Sequence, residues 1–274
     1  MSKNRPYFSF KNREIASLFR KNQENQEIVS SLYHESNYRS RLDQRVKEAI
    51  QDCYCALIAE KSPWKPSGLS VDQAKRGIYI DFEGVKKESV HGRSICPAPP
   101  SLLGILVEEE FIQINFDVKL KLAADYEGLE TSSLEQLIPR LVIRAFEEDR
   151  FLIAYTEHDL NLIKEHSRYG ELVEDFYLNG RIYACEWNEE LGRLEENINN
   201  SLKDFAVYLG KEYRGDESPA KWIRYVRKRL KNKSDFSQIS PKGQDMWNFL
   251  LDYNRKDCYV LQELMILVAK EMSS

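Results

Sequence analysis

The segment IYIDFEG carries two carboxylates, Asp81 and Glu83, two residues apart. Successive side chains of a strand leave opposite faces, so a strand here sends both acids out on the same side. A strand that is apolar at Ile78 and Ile80 and then presents two acids at its end suits a hard divalent cation. Magnesium takes oxygen ligands and fills its other positions with water and substrate phosphate. On its own the D-x-E pair also describes a solvated turn. Asp159 stands in FLIAYTEHDLNLI, just past an apolar strand and in the first turn of the next helix. The helix dipole favours an acid there by about 0.3 to 1 kcal/mol, and the carboxyl ends of strands are also where α/β sheets build ligand sites. In DYNRKDCYVLQEL, Tyr253 and Asp257 are four residues apart and share a helix face. Alone, that pair reads as a core tyrosine beside a surface aspartate. What is specific is the order: an acid pair on an early strand, an acid after a later strand, and Tyr-x3-Asp in the final helix.

A second chemistry-bearing stretch is KWIRYVRKRLKNK, with seven Lys or Arg and no acid between residues 221 and 233. As a helix it places Lys221, Arg224, Lys228 and Lys231 on one face and Trp222, Ile223, Val226 and Leu230 behind them. The cationic face is either an ordinary solvated surface or a track for nucleic-acid phosphates.

These residues need elements to position them. Strands are expected over 77–84 (GIYIDFEG) and, as two strands, over 101–117, with a turn near Glu109 and Glu110; the three form an antiparallel meander. A helix follows over SSLEQLIPRLVIRAFEEDR, with Thr131 and Ser132 as caps and Glu135 three residues past Ser132. Then come the strand FLIAYT (151–156), the helix HDLNLIKEHS, a fifth strand within 172–186, and helices from 196 onward. Residues 1–68 read as an N-terminal helical extension ending in the linker SPWKPSG. Its third helix carries an apolar stripe of Leu42, Val46, Ala49, Cys53, Ala56 and Leu57. Residues 69–274 form the α/β domain.

The 274 residues are 42% hydrophobic and 31% charged, the balance of a folded chain. A net charge of -4 argues against coating nucleic acid by bulk electrostatics but permits a local basic groove. The five cysteines, Cys53, Cys55, Cys96, Cys185 and Cys258, have no zinc-module spacing and read as reduced thiols. No run is apolar enough to span a membrane and the first residues lack a secretory core, so a cytoplasmic location is expected.

The order of the acids resembles the DEDD exonucleases in their tyrosine-bearing form. Asp81 and Glu83 match the first exonuclease motif, Asp159 the second, and Tyr253 with Asp257 the third. The histidine of the other subtype belongs five residues before the last aspartate, where this chain has Asp252. The resemblance is closest to the bacterial YprB-type RNase H-like nucleases, whose Tyr-Asn-x-x-Asp ending stands here as Tyr253, Asn254 and Asp257. SLKDFAVYLG is similar to their leucine-rich helix. About residues 75 to 272 are covered.

The resemblance implies an RNase H-like mixed five-stranded sheet flanked by helices. It further implies 3′-5′ exonuclease action on DNA or RNA, with a single-stranded 3′ end as substrate. Two Mg2+ or Mn2+ ions would sit on Asp81, Glu83, Asp159 and Asp257, and Tyr253 would orient the attacking water. An inactive RNase H-like binding module and a structure-selective endonuclease are the alternatives. In the binding-module reading the N-terminal helices are the surface expected to take a protein partner.

Overall fold

Along IYIDFE the side chains alternate between two destinations. Ile78, Ile80 and Phe82 enter one hydrophobic core, while Tyr79 enters another on the opposite side of the sheet. This alternation is what a strand buried on both faces requires. A computed structural model describes residues 30–35, 44–60, 68–85, 98–194, 199–213 and 218–273.

After a helical stretch at 30–35, the elements in chain order begin with α1 (Gln44–Glu60), α2 (Val71–Arg76), β1 (Ile78–Glu83), β2 (Leu102–Val107) and β3 (Glu110–Asn115). Next are α3 (Lys121–Tyr126), β4 (Glu130–Thr131), α4 (Leu134–Glu147), β5 (Leu152–Ala154), α5 (Glu157–His166), α6 (Gly170–Glu174) and β6 (Tyr177–Asn179). The chain ends with α7 (Gly180–Leu191), α8 (Leu202–Tyr208), α9 (Pro219–Leu230) and α10 (Pro241–Met272).

The six strands among the described residues form one mixed sheet in the order β4-β3-β2-β1-β5-β6. Strands β1, β2 and β3 are the expected antiparallel meander, and β5 pairs parallel to β1 on its other side. β1 is therefore central, with its carboxyl end at the same edge as that of β5. Among the described residues no helix is long and apolar enough to cross a membrane.

The sheet has one strand more than the five expected. β4 is two residues long and pairs parallel to β3 through Ile114, Glu130, Asn115 and Thr131. Two residues show no alternation, so nothing in the sequence marks them as a strand. Thr131 consequently belongs to β4 and caps no helix. The N-cap of α4 is Ser133, without a side-chain cap bond. Glu135, expected to close a capping box, instead accepts from the Arg168 backbone N–H at 2.8 Å. The strand expected within 172–186 is β6, and it passes directly into α7 at Gly180.

One face of the sheet is covered by α4, α5 and α1, the other by α10 with α7 and α8. The buried side of α1 is Cys53, Tyr54, Cys55, Leu57 and Ile58, with Ile50 partly buried against the same core. Ala49, expected on the apolar stripe, is exposed. The larger side chains Tyr54 and Ile58 set the packed face and rotate it away from the alanine. Asp52 on this helix is buried against Arg168 (3.0 Å) and the Tyr169 hydroxyl. The expected helix FKNREIASLFRK and most of the linker lie outside the described residues, as does Cys96. Cys53, Cys55 and Cys258 are buried free thiols.

Helix α10 crosses β1 and β2 at Gly104. A Cβ at this position would lie 2.5 Å from Asn254 Oδ1 and 3.0 Å from Cys258 Sγ. The glycine is thus required by close approach of helix to strand. Gly104→Ala should lower unfolding stability by about 1 to 3 kcal/mol through overpacking. Gly68→Ala, where nothing lies within 4 Å of the added Cβ, should be close to neutral in the same denaturant titration.

Candidate metal centre

Asp81 and Glu83 leave β1 on the face covered by α10, as the two-residue spacing predicts. Asp257 comes from α10 itself. One carboxylate oxygen from each of the three lies within 4.8 Å of the others, a group that can hold a metal ion. The triad joins residues 174 to 176 positions apart in sequence, so it exists only because α10 lies across the end of β1.

Asn254 fixes that crossing. Its amide nitrogen donates to Asp81 O (2.9 Å) and to Asp81 Oδ2 (2.8 Å). Its amide oxygen accepts from Gln113 Nε2 at 2.9 Å, and the same nitrogen of Gln113 also reaches Leu251 O at 3.0 Å. Asp81, Gly104 and Gln113 are cross-strand partners on β1, β2 and β3. The row therefore reads acid, gap, amide, with Asn254 fully buried in the gap.

Asp159 arrives from the other side. Thr156 caps α5, and its side chain accepts from the His158 backbone N–H. That cap starts the helix directly after β5 and puts Asp159 in its first turn. Pairing between β1 and β5 ends at Tyr79 and Ile153. Further along β1, the Phe82 N–H is taken by Asp159 Oδ1 at 3.3 Å. Asp159 is buried beside the triad without being one of its three members.

The electrostatics reflect this crowding. Burial, and then the charge of Asp159, push the Asp81 carboxyl up to about 7, against the opposing Asn254 bond. Asp159 is also pushed up to about 7, by burial first, with the Phe82 N–H acting against it. Glu83 lies well above the usual carboxylate range because of burial and the charges of Asp81, Asp257 and Asp159. Asp257 is raised by burial and by Asp81, although the hydroxyls of Tyr213 and Tyr253 and the Lys203 charge favour its ionised form. The donors are all hard oxygens and the group lacks positive charge, which is the chemistry a divalent cation such as magnesium fits.

Tyr253 shares its helix face with Asp257, as the four-residue spacing allows, and its hydroxyl favours the ionised carboxylate. A second phenol, Tyr213, donates to Asp257 Oδ1 from the loop after α8. Burial and the neighbouring carboxylates raise both phenols well above their ordinary range, so both stay protonated donors. Lys203 on α8 lies 5.3 Å from the Tyr253 ring and 5.4 Å from the Tyr213 ring.

In the sequence Asn254 stands out only as part of the Tyr-Asn-x-x-Asp ending and Lys203 only as part of SLKDFAVYLG, and Gly104, Gln113 and Tyr213 belong to no motif. A glycine inside an apolar strand and a lone amide between Ile112 and Ile114 are signals that could have found Gly104 and Gln113. No local pattern marks Tyr213.

Lys221, Arg224, Lys228 and Lys231 are all exposed on or at the end of α9, opposite its buried Ile223, Val226 and Leu230. Trp222 on this helix meets the Tyr253 ring at 5.9 Å, so the basic helix adjoins the carboxylates.

Carboxyls raised in the fold hold protons that the unfolded chain has released. Their contribution to stability is therefore present at low pH and lost as pH rises from about 4 through about 7. In EDTA the melting temperature should fall across that interval, and Asp81→Asn should reduce the fall. Millimolar Mg2+ or Mn2+ should raise Tm more at pH 8 than at pH 5, since cation binding needs the ionised carboxylates. An equal shift at both pH values would count against cation binding at this group.

No family model, no curated protein and no solved structure matches the chain.

Proposed function

We propose that this chain is a divalent-metal-dependent nuclease of RNase H-like fold that hydrolyses phosphodiester bonds and trims nucleic acid from the 3′ end. The observation that carries the reading is the meeting of Asp81, Glu83 and Asp257 within 4.8 Å at the carboxyl end of the central strand. Asp159 beside them completes the set that the motif order resembles. An antiparallel meander extended on one side by parallel strands, with helices on both faces, accords with the RNase H-like part of the reading.

Asp81, Glu83 and Asp257 would hold the cation, with Asp159 as a further oxygen donor. A bound Mg2+ or Mn2+ supplies an activated water and neutralises charge on the leaving 3′-oxygen. The remaining tasks fall to side chains. Asn254 fixes Asp81 by donating to its Oδ2. Tyr253 stays protonated and orients the attacking water by its hydroxyl, since a phenol raised this far cannot act as the base. Lys203, whose charge favours the ionised forms of Glu83 and Asp257, offsets phosphate charge when substrate enters. The exposed face of α9 holds the strand upstream.

The direct test is incubation of the protein with end-labelled single-stranded and duplex DNA and RNA in Mg2+, Mn2+ or EDTA. A metal-dependent ladder growing from the 3′ end is expected. No cleavage of any substrate in either metal would remove the nuclease reading. Asp81→Ala and Asp257→Ala should abolish cleavage while leaving the protein folded, and Tyr253→Phe should slow it with metal affinity largely kept.

Replacing Lys221, Arg224, Lys228 and Lys231 by Gln should weaken binding and flatten its salt dependence. The slope of log affinity against log salt should drop by about 0.7 to 0.9 for each phosphate that the variant no longer neutralises. An unchanged slope would return this face to the ordinary solvated surface.

A further inference from the structure

Four aromatic rings stand in a continuous row on the surface between α9, α10 and the loop after α8. Phe249 and Trp222 have centroids 6.1 Å apart, Trp222 and Tyr253 are 5.9 Å apart, and Tyr253 and Tyr213 are 5.7 Å apart. The row ends on the metal centre, because the Tyr213 hydroxyl donates to Asp257 Oδ1 and Tyr253 stands one turn before Asp257 on α10.

None of the four is buried: Trp222, Phe249, Tyr253 and Tyr213 are all partly exposed. The other tryptophans among the described residues, Trp187 and Trp247, are 0% exposed and belong to the cores. Trp222 differs in the same way from Ile223 and Val226 beside it, which are also 0% exposed. Partly exposed rings that touch one another offer flat apolar surface to a ligand.

The charges along this row point to the ligand. Lys256 lies 3.9 Å from the Tyr213 ring centroid, and Lys203 reaches both tyrosines. Aromatic faces interleaved with cations recognise an unpaired nucleic-acid strand, whose bases stack and whose phosphates need positive charge. A duplex end offers few free base faces.

We propose that Phe249, Trp222, Tyr253 and Tyr213 form a stacking track for the unpaired 3′-terminal bases of a single strand, which sets the terminal phosphodiester against the carboxylates. This specificity deepens the nuclease reading and rests on it for the catalytic step, though base stacking can be measured without cleavage.

The test uses the full chain in calcium, a hard-oxygen ligand seeker, with strand length verified after each measurement. The probes are 5′-labelled oligothymidylate and oligouridylate, the same strands with abasic sugars at the two 3′-terminal positions, and a blunt duplex. Wild type should bind the base-bearing strands roughly 5- to 150-fold more tightly than the abasic ones, the range expected for stacking one base. Trp222→Leu and Phe249→Leu, which keep apolar bulk without a ring, should lose that preference while binding abasic strands as wild type does, and Trp222→Phe should recover most of it.

Equal binding of base-bearing and abasic strands by wild type overturns the track. So does equal weakening of both by Trp222→Leu, or no binding of any strand. A retained base preference in a protein that cleaves nothing would remove the nuclease reading and leave the track standing. Cleavage without base preference would do the reverse. The thymidylate and uridylate arms separate DNA from RNA as the source of the strand.

Discussion

Helix α10 reaches the sheet over Gly104, where no side chain stands between the Asn254 amide and the backbone of β2. The amide is thereby held between Gln113 on one side and Asp81 on the other, with both of its ends occupied. A fully buried amide that lost either partner would leave polar atoms unpaired, at a cost of about 1 to 3 kcal/mol. The helix can therefore neither rotate nor slide without breaking this chain of bonds. Three residues on, the same face carries Asp257 to within 4.8 Å of Glu83 and Asp81.

That precision gathers carboxylates in a place where they repel. Four acids meet where burial already disfavours charge, and each is displaced toward its protonated form. The fold meets the strain with donors fixed by the backbone or by packing: the Phe82 N–H on Asp159, the Asn254 amide on Asp81, and the Tyr213 phenol on Asp257. These donors orient the acids without neutralising them. A cluster built for stability alone would have paired them with arginines, as Asp52 is paired with Arg168 on the far side of the sheet. Departure from the most stable arrangement is what a functional site is expected to show.

The parts of this arrangement set by local periodicity could be read from the sequence. The two-residue spacing of Asp81 and Glu83 on a strand, the four-residue spacing of Tyr253 and Asp257 on a helix, and the place of Asp159 in the first turn of the helix after a strand each need only a few neighbouring residues. β4 could not be read, since two residues carry no period. The buried face of α1 lies a fraction of a turn from the stripe that the pattern marks, because Ala49 counts as apolar in a pattern yet gains less from burial than Tyr54 or Ile58. Tyr213 reaches Asp257 across 44 residues from a loop, and only the tertiary fold brings it there.

Charge counting fails in an instructive way at Arg227. It belongs to the run of seven basic residues in KWIRYVRKRLKNK, yet it turns inward. Its guanidinium bonds buried Asp117 and donates to Ser101 Oγ at 2.9 Å. Asp117 in turn accepts from the Lys119 backbone N–H and terminates the meander after β3. One arginine thus ties α9 to the end of the sheet. With Ile223, Val226 and Leu230 buried on the same side, the helix has one way to sit. Lys221, Arg224, Lys228 and Lys231 must then face solvent, and Trp222 must lie at the boundary against Tyr253. The anchoring of one basic residue is what aims the others, so the cationic face and the carboxylates are held in fixed relation by the same packed helix pair.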